Sequence, residues 1–346
     1  MERKLASIQR IREIRPIEGA DAIELAIINS WQVVVAKNVG HQVGNLVVYC
    51  EIDSYLPIEP EFEFLRKSSY KKMGDQEGFR LKTIKLRGQI SQGLILPLKE
   101  AVDVMKRRNG EVYSEILVEG NDVTTLLGIT KYEPPIPACL AGKIKGLFPQ
   151  FIPKTDEERV QNLTDEYSFW INSNNQFYVT EKLDGSSSTF YIKDGVFGVC
   201  SRNLDLIETE NNSFWKVARI LDLENKLKKL NFNICIQGEL IGEGIQKNPY
   251  KIKGQTVKFF NAFNIDSGEY LDLTQFKNLI NDLGLETVPI IDENFSLPEK
   301  IEDLLNYADS KSILNSNTNR EGIVIRSANK NISFKVISNI FLLKNE

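Results

Sequence analysis

Apolar and polar positions alternate in short stretches through the first 130 residues, a pattern typical of half-buried β-strands. Residues 31–36 and 45–51 are rich in β-branched and aromatic side chains and are bounded by glycines. Residues 80–87 alternate, and residues 93–98 follow another glycine. Short strands separated by glycine turns at this spacing predict a small β-barrel.

The rest of the chain alternates predicted strands with predicted helices. A helix is expected over 155–163, because Thr155 can act as an N-cap before three acidic residues. The other predicted helices are 214–230, 275–283 and 301–307, and the predicted strands are 177–183, 187–192, 196–202, 234–241, 257–265, 322–327 and 332–337. This mixture predicts an α+β fold whose largely antiparallel sheet carries helices. A proline-rich linker at 133–137 divides the chain, so we expect domains at 1–130 and 131–346.

Composition restricts the chemistry open to the chain. The four cysteines include no Cys-x-x-Cys pair, which excludes a zinc ribbon. With His41 as the only histidine, metal sites built on several histidines and Ser-His-Asp catalysis have almost no residues to build on. Apolar runs are too short to span a bilayer and no signal-like core follows Met1, so we expect an intracellular, cytoplasmic protein.

Net charge is −4, yet residues 65–88 carry eight basic and two acidic residues, a local charge of +6. Tyr70 and Phe79 are interleaved with them. Such a strip can bind phosphates and stack bases, although a solvated hairpin with solubilising lysines explains it equally well. The basic residues are Arg66, Lys67, Lys71, Lys72, Arg80, Lys82, Lys85 and Arg87; we call them the basic strip.

A predicted strand ends in Glu181-Lys182-Leu183-Asp184-Gly185. A lysine amine attacks phosphorus only when it is deprotonated, so we expect the site to lower the pKa of Lys182. By itself the segment is also compatible with an ordinary strand and β-turn. Five further segments follow in order, and each has a structural explanation when taken singly: Ser201–Asn203, Gln237–Gly242, Phe260–Ile265, Arg320–Arg326 and Ser333–Val336.

This ordered set resembles the covalent nucleotidyltransferase superfamily of polynucleotide ligases and mRNA capping enzymes. The resemblance implies that Lys182 is the nucleophile that forms lysyl-AMP from ATP and that Lys335 contacts the α-phosphate. The residues implied at ATP are Glu181, Leu183, Arg202, Glu239, Phe263 and Lys335, with Phe263 stacked on the base. Asp184, Glu239 and Glu321 are the oxygen ligands available to Mg²⁺ or Mn²⁺, directly or through water. Ile337 stands where many relatives have a second lysine.

Two features favour RNA ligases within the superfamily. Residues 242–248 are similar to a Gly-x-Gly-Ile-Gln-Lys-Asn signature of these enzymes, and Lys247 becomes a further candidate for RNA binding. A β-rich domain also precedes the catalytic one, and we expect no OB domain after residue 338. This order resembles the RNA ligases with an N-terminal OB domain.

The resemblance implies a monomeric enzyme without membrane association that joins RNA 3′-hydroxyl and 5′-phosphate ends through lysyl-AMP and adenylylated RNA. Three alternatives remain open at this point. They are a DNA nick ligase, an RNA capping nucleotidyltransferase, and a non-catalytic OB-fold protein that binds nucleic acid.

Overall fold

The computed structural model describes residues 3–112, 114–133, 144–173, 175–328 and 332–345. The chain divides into two compact units, Met1–Ile136 and Pro137–Phe341, and the last residues from Leu342 group with the first unit. From residue 134 on, the predicted linker lies outside the described residues. In the described part of the chain, no helix is long and apolar enough to cross a membrane.

The first unit is built mainly from short antiparallel strands. They form a five-stranded sheet in the order β10-β4-β1-β2-β3, a four-stranded sheet in the order β11-β5-β7-β6, and the hairpin β8-β9. The strands are β1 (Ala6–Pro16), β2 (Ile23–Ile28), β3 (Trp31–Ala36), β4 (Leu46–Cys50), β5 (Ser54–Pro57), β6 (Tyr70–Met73), β7 (Gln76–Arg80), β8 (Thr83–Leu86), β9 (Gln89–Gln92), β10 (Leu94–Pro97) and β11 (Thr130–Lys131); the helices are α1 (Arg66–Ser69) and α2 (Leu98–Asn109).

Two strand predictions in this unit need correction. The strand expected over 80–87 is two strands, β7 and β8, separated by Leu81 and Lys82, and the Leu81 side chain is buried in the core. The strand expected over 93–98 ends at Pro97, and the unpredicted helix α2 begins at Leu98. Helix α2 buries Ala101, Val104 and Met105, which have the i, i+3, i+4 spacing of a core-facing helical stripe.

The second unit contains two sheets. The larger has seven strands in the order β12-β17-β16-β15-β18-β19-β20, and the smaller has five in the order β13-β23-β22-β14-β21. The strands are β12 (Ile144–Leu147), β13 (Glu158–Arg159), β14 (Phe177–Lys182), β15 (Ser186–Lys193), β16 (Val196–Cys200), β17 (Leu204–Leu206), β18 (Ile234–Gly242), β19 (Gln255–Asn264), β20 (Glu269–Tyr270), β21 (Ile290–Phe295), β22 (Gly322–Ser327) and β23 (Ser333–Ile337); the helices are α3 (Thr164–Trp170), α4 (Ser213–Ile220), α5 (Leu223–Lys228), α6 (Leu273–Asp282) and α7 (Ile301–Ala308), and α8 (Asn339–Asn345) ends the described chain.

One face of the seven-stranded sheet packs against helices, and the other carries Glu239 beside an apolar cluster that includes Cys235. Ile236 and Leu240 of β18 pack with Trp215 of α4 and Leu227 of α5. Because side chains alternate along a strand, Glu239 of β18 points to the opposite face. Helices α4 and α5 therefore lie across the sheet from Glu239.

Two helix predictions in this unit are wrong in extent. Residues 155–163 contain the short strand β13, which pairs in parallel with β23, and helix α3 begins only at Thr164. The Thr155 hydroxyl lies 2.9 Å from that of Ser187, so tertiary contacts override the local capping signal. The helix expected over 214–230 is divided into α4 and α5 at Asp222, whose φ of 53° is left-handed.

Candidate active site

Strand pairing brings Lys182 and Glu321 together although 139 residues separate them. Lys182 is the last residue of β14 and pairs with Gly322, the first residue of β22, so Glu321 stands beside the lysine. The Lys182 Nζ atom lies 2.6 Å from Oε1 of Glu321, and both side chains are only partly exposed. The ammonium group of Lys182 is therefore directly paired with a carboxylate.

Asp184 and Glu239 complete the charged cluster. A Cβ atom on Gly185 would lie 2.5 Å from the Leu240 carbonyl oxygen and 2.8 Å from Cγ of Glu239, so only glycine lets the turn after Lys182 approach β18 this closely. Burial raises the pKa of Glu239 to about 8, against the opposing effect of the Lys182 charge. Burial and the charge of Glu321 raise the pKa of Asp184 to about 6. The cluster holds more acidic groups than the single ammonium can neutralise.

The expectation that the chain itself lowers the pKa of Lys182 is wrong. Burial acts to lower this pKa, but the charges of Glu321, Glu239 and Asp184, with the hydrogen bond to Glu321, raise it above its ordinary value. An ammonium group among carboxylates is stabilised in its charged form. A neutral amine at this position therefore requires an added cation that neutralises the carboxylates.

The three carboxylates Asp184, Glu239 and Glu321 suit a hard divalent cation such as Mg²⁺, but not as a complete set of protein ligands. Across the described residues, no three His, Cys, Asp or Glu side chains form a group that could hold a metal ion. Mg²⁺ is commonly bound through one or two carboxylates, with water and substrate phosphate as the other ligands. The half-buried carboxylates of Asp184, Glu239 and Glu321 suit that mode, and they do not form a three-carboxylate cage.

The residues on either side of Lys182 are both buried. The Glu181 side chain is 1% exposed; its Oε2 accepts a 2.8 Å hydrogen bond from the Ile313 amide, and Oε1 has no partner among the described residues. Leu183 packs with Ile241 and Tyr250 in an apolar cluster. Any contact between Leu183 and a nucleotide would therefore come from its main chain.

Arg202 and Phe263 lie on the seven-stranded sheet. Arg202 follows β16 and donates to Asp156 Oδ1 at 2.5 Å, and its charge also acts on Glu239. Phe263 lies opposite Cys235 across the β18–β19 ladder and contacts the Tyr270 ring edge-on at 5.1 Å. Cys235 has the same strand parity as Glu239, so Phe263 belongs to the face that carries the acidic cluster.

Lys335 shares a sheet face with Lys182. Lys182 of β14 pairs with Gly322 of β22, and Gly322 pairs on its other side with Ile337 of β23. Two residues along these strands, Val324 of β22 pairs with Lys335 of β23. Paired residues of an antiparallel ladder lie on the same face, and residues two apart repeat it. Both lysines therefore lie on one face of the five-stranded sheet, and Ile337, which is buried, extends that row.

Sequence reasoning assigned no role to two buried arginines beside this row. Arg159 of β13 pairs in parallel register with Lys335. Arg326 of β22 bonds Glu157 at 3.0 Å and the Thr180 hydroxyl at 3.3 Å. An arginine inside an apolar strand, as in Ile325-Arg326, was the available signal, because a buried arginine needs acidic or polar partners.

The basic strip is divided by the fold. Three of its members are ion-paired, Arg66 with Glu63 at 2.6 Å, Lys72 with Glu77 at 3.0 Å and Arg80 with Asp53 at 3.1 Å. Phe79 is fully buried in the core, so the expectation that it could stack on a base is wrong. Tyr70 is half-buried and lies 5.4 Å from the guanidinium of Arg66. The remaining members lie on α1, β6, the segment before β8, and the β8–β9 hairpin: Lys67, Lys71, Lys82, Lys85 and Arg87. Lys247 belongs to the second unit.

Comparison with known proteins matches both units. Residues 5–98 match a family described as an OB-fold domain, and residues 175–338 match the family described as RNA ligase. No curated protein matches the chain.

Solved structures of a Naegleria gruberi RNA ligase are similar over nearly the whole chain. An apo mutant is 42% identical with a TM-score of 0.89, covering 99% of this chain and 98% of that one. A mutant with AMP and Mn is 42% identical with a TM-score of 0.88, covering 98% of each chain. A third, with ATP and Mn, is 41% identical with a TM-score of 0.87, covering 99% of each. The predicted fold, an OB-like domain followed by an antiparallel-sheet domain, is confirmed.

Proposed function

The chain belongs to the RNA ligase family, and from that premise we propose that it is an ATP-dependent enzyme that joins RNA 3′-hydroxyl and 5′-phosphate ends. The reaction passes through lysyl-AMP and adenylylated RNA. The observation that carries the proposal is the contact between Lys182 and Glu321 within a cluster of half-buried carboxylates. In that cluster, the proposed nucleophile Lys182, at the end of β14, lies beside the acidic side chains of Asp184, Glu239 and Glu321.

In the first step, the Lys182 amine attacks the α-phosphorus of ATP and a phosphoramide bond forms as pyrophosphate leaves. Before the attack, the Lys182 ammonium must release to solvent the proton that its 2.6 Å hydrogen bond to Glu321 stabilises. Lys335, on the same sheet face, can donate to an α-phosphate oxygen as negative charge develops. Arg202 and Phe263 would bind the nucleotide on the other sheet.

A divalent cation bound through one or two of Asp184, Glu239 and Glu321, directly or through water, would neutralise carboxylate charge that raises the pKa of Lys182 and would favour its neutral form. The Mn-bound Naegleria gruberi ligase is consistent with this requirement. Without such neutralisation, the residues of this chain hold Lys182 as an ammonium ion, which has no lone pair for attack.

In the second step, an RNA 5′-phosphate oxygen attacks the lysyl-bound phosphorus, the bond to Lys182 breaks and AMP moves to the RNA. An RNA 3′-hydroxyl then attacks the 5′-phosphate and AMP leaves. We assign both ATP and the metal to the second unit and part of the RNA binding to the OB-like domain. The exposed cationic side chains of the basic strip suit that task, because contacts to phosphates depend on positive charge and do not read the base sequence.

The test is direct. Purified protein is incubated with Mn²⁺ and either α-labelled ATP or α-labelled GTP, and the products are separated under denaturing conditions. We expect a covalent adduct with ATP only, followed by sealing of RNA with 5′-phosphate and 3′-hydroxyl ends. An adduct with GTP alone would identify a capping enzyme, sealing of nicked DNA alone a DNA ligase, and no adduct a binding protein.

A second comparison defines the substrate. Single-stranded, nicked duplex and hairpin RNAs are offered side by side, with equal concentrations of ends. The preferred RNA is the one whose adenylylated intermediate is consumed fastest.

A further inference from the structure

Three exposed lysines lie on the loop that joins β18 to β19. We call residues 243–254 the lysine loop. Lys247, Lys251 and Lys253 are all exposed, and none forms an ion pair within the described part of the chain. Glu243 is the only acidic residue of the loop. This contrasts with the basic strip, where acidic neighbours already pair with Arg66, Lys72 and Arg80.

The backbone of the lysine loop is held in an unusual shape. Gln246, Lys247, Asn248 and Lys251 have φ values of 43°, 59°, 50° and 55°, a left-handed region that is costly for residues with a Cβ atom. The Asn248 side chain bridges the loop by accepting from the Ile252 amide at 3.0 Å and donating to its carbonyl at 2.8 Å. The loop therefore presents its lysines from a fixed frame.

That frame is bonded to the turn that follows the nucleophile. The Gln246 side chain donates to the Gly185 carbonyl at 3.2 Å, and the Tyr250 hydroxyl accepts from the Asp184 amide at 2.6 Å. On its other side, the loop accepts a 2.8 Å hydrogen bond from Asn315 at the Pro249 carbonyl. The three lysines are thus carried by an element fixed to the residues next to Lys182.

We propose that the lysine loop binds the phosphodiester backbone of the RNA beside the reacting end, through Lys247, Lys251 and Lys253. This inference rests on the proposed function and extends it from the active site to the course of the bound RNA strand. Unpaired charges of one sign on an exposed loop suit the successive phosphates of a polyanion. The phosphates of ATP share this chemistry, so the experiment separates RNA from ATP.

The test replaces all three lysines by glutamine, Lys247→Gln, Lys251→Gln and Lys253→Gln, in the full-length chain. The matched control is Lys216→Gln, Lys226→Gln and Lys229→Gln, which removes the same charge from α4, α5 and the residue after α5, across the sheet from Glu239. A third variant with arginine at the three loop positions keeps the charge.

For each protein we measure three quantities: RNA affinity between 50 and 200 mM salt, RNA sealing at subsaturating RNA, and the dependence of lysyl-AMP formation on ATP concentration. Three lost phosphate contacts should reduce the slope of log RNA affinity against log salt concentration by about 2. Through counterion release alone, this corresponds to a loss of RNA affinity of roughly 100-fold at 0.1 M salt. The control variant should match wild type, and the arginine variant should retain most of the affinity.

The outcomes are distinct. Wild-type RNA affinity, salt slope and sealing in the glutamine variant would overturn the role of the loop. A raised KM for ATP with unchanged RNA affinity would assign the lysines to ATP and also overturn it. Equal losses in the control variant would mean that overall charge, and not the loop, governs binding. Failure of wild-type protein to form lysyl-AMP or seal RNA would instead overturn the proposed function.

Discussion

Lys182 is the residue on which the proposed chemistry depends. Lys182→Ala and Lys182→Met should each abolish the covalent AMP adduct and the joining of 5′-phosphate RNA, because no other amine takes its place at the end of β14. Denaturing electrophoresis with labelled ATP measures the adduct. A variant that melts like wild type and still forms the adduct at full yield would remove Lys182 from the mechanism.

Glu239 and Glu321 are expected to act on the reaction and not mainly on folding. Glu239→Ala and Glu321→Ala should each reduce the rate of lysyl-AMP formation by about 10²–10³, the usual cost of removing one charge-stabilising group. Single-turnover adenylylation and thermal melting are measured together.

The control for these carboxylates is Glu208→Ala. Glu208 pairs with Arg219 of α4 in the same unit, on the side of the sheet away from Glu239, and the two side chains are 50% and 45% exposed. Exposed ion pairs contribute little to stability, so this variant should keep its activity. Full activity of Glu239→Ala or Glu321→Ala at a wild-type melting temperature would contradict a catalytic role.

At the scale of elements, the turn after β14 depends on the lysine loop for its shape. Tyr250 is 5% exposed, and its hydroxyl is the hydrogen-bond acceptor of the Asp184 amide. Tyr250→Phe leaves that amide without its acceptor, a loss worth about 1–3 kcal/mol when the donor is buried. If half of this free energy is added to the activation free energy of adenylylation, lysyl-AMP formation slows by about tenfold at most.

Tyr167→Phe is the matched control, because Tyr167 is equally buried and its hydroxyl donates to the Pro298 carbonyl at 2.6 Å. Both variants should lose similar stability, but only Tyr250→Phe should slow adenylylation when assayed well below its melting temperature. Equal rates in the two variants would reduce Tyr250 to a purely structural residue.

At the scale of the whole molecule, the two units are expected to divide the work. Residues 137–346 retain Lys182, Glu239, Glu321 and Lys335, and should form lysyl-AMP with ATP and metal. RNA joining should fall much more than adenylylation, because the basic strip and Tyr70 are lost; stacking on one base is worth roughly 1–3 kcal/mol. Adduct formation and sealing are compared in parallel with the full chain.

Either of two results would contradict this division. Sealing by residues 137–346 at the full-length rate would show that the first unit is not the RNA platform. A folded but adenylylation-deficient fragment would show that the first unit helps to form the ATP site. Wild-type joining should also weaken as salt rises, since phosphate contacts release counterions.

The amino-acid sequence by itself determined the family, the order of the two domains and most strands of the second unit. Strand prediction succeeded for β14, β18 and β22 because alternation and apolar runs are local properties of the chain. The order of Lys182, Glu239 and Glu321 was equally visible, because the segments that carry the resemblance to polynucleotide ligases are short and local in the chain. The resemblance to RNA ligases is confirmed on this basis. The roles of the individual site residues stay predictions.

Only the tertiary structure decided how these residues act on one another. Lys182 meets Glu321 through the β14–β22 register across 139 residues, and their charges reverse the expected direction of the lysine pKa. The predicted helix over residues 155–163 is replaced in part by strand β13, because β23 offers hydrogen bonds that the local sequence does not reveal. Phe79 is core and not surface. Pairing, burial and electrostatic coupling join residues far apart in the chain, and short-range patterns carry no record of them.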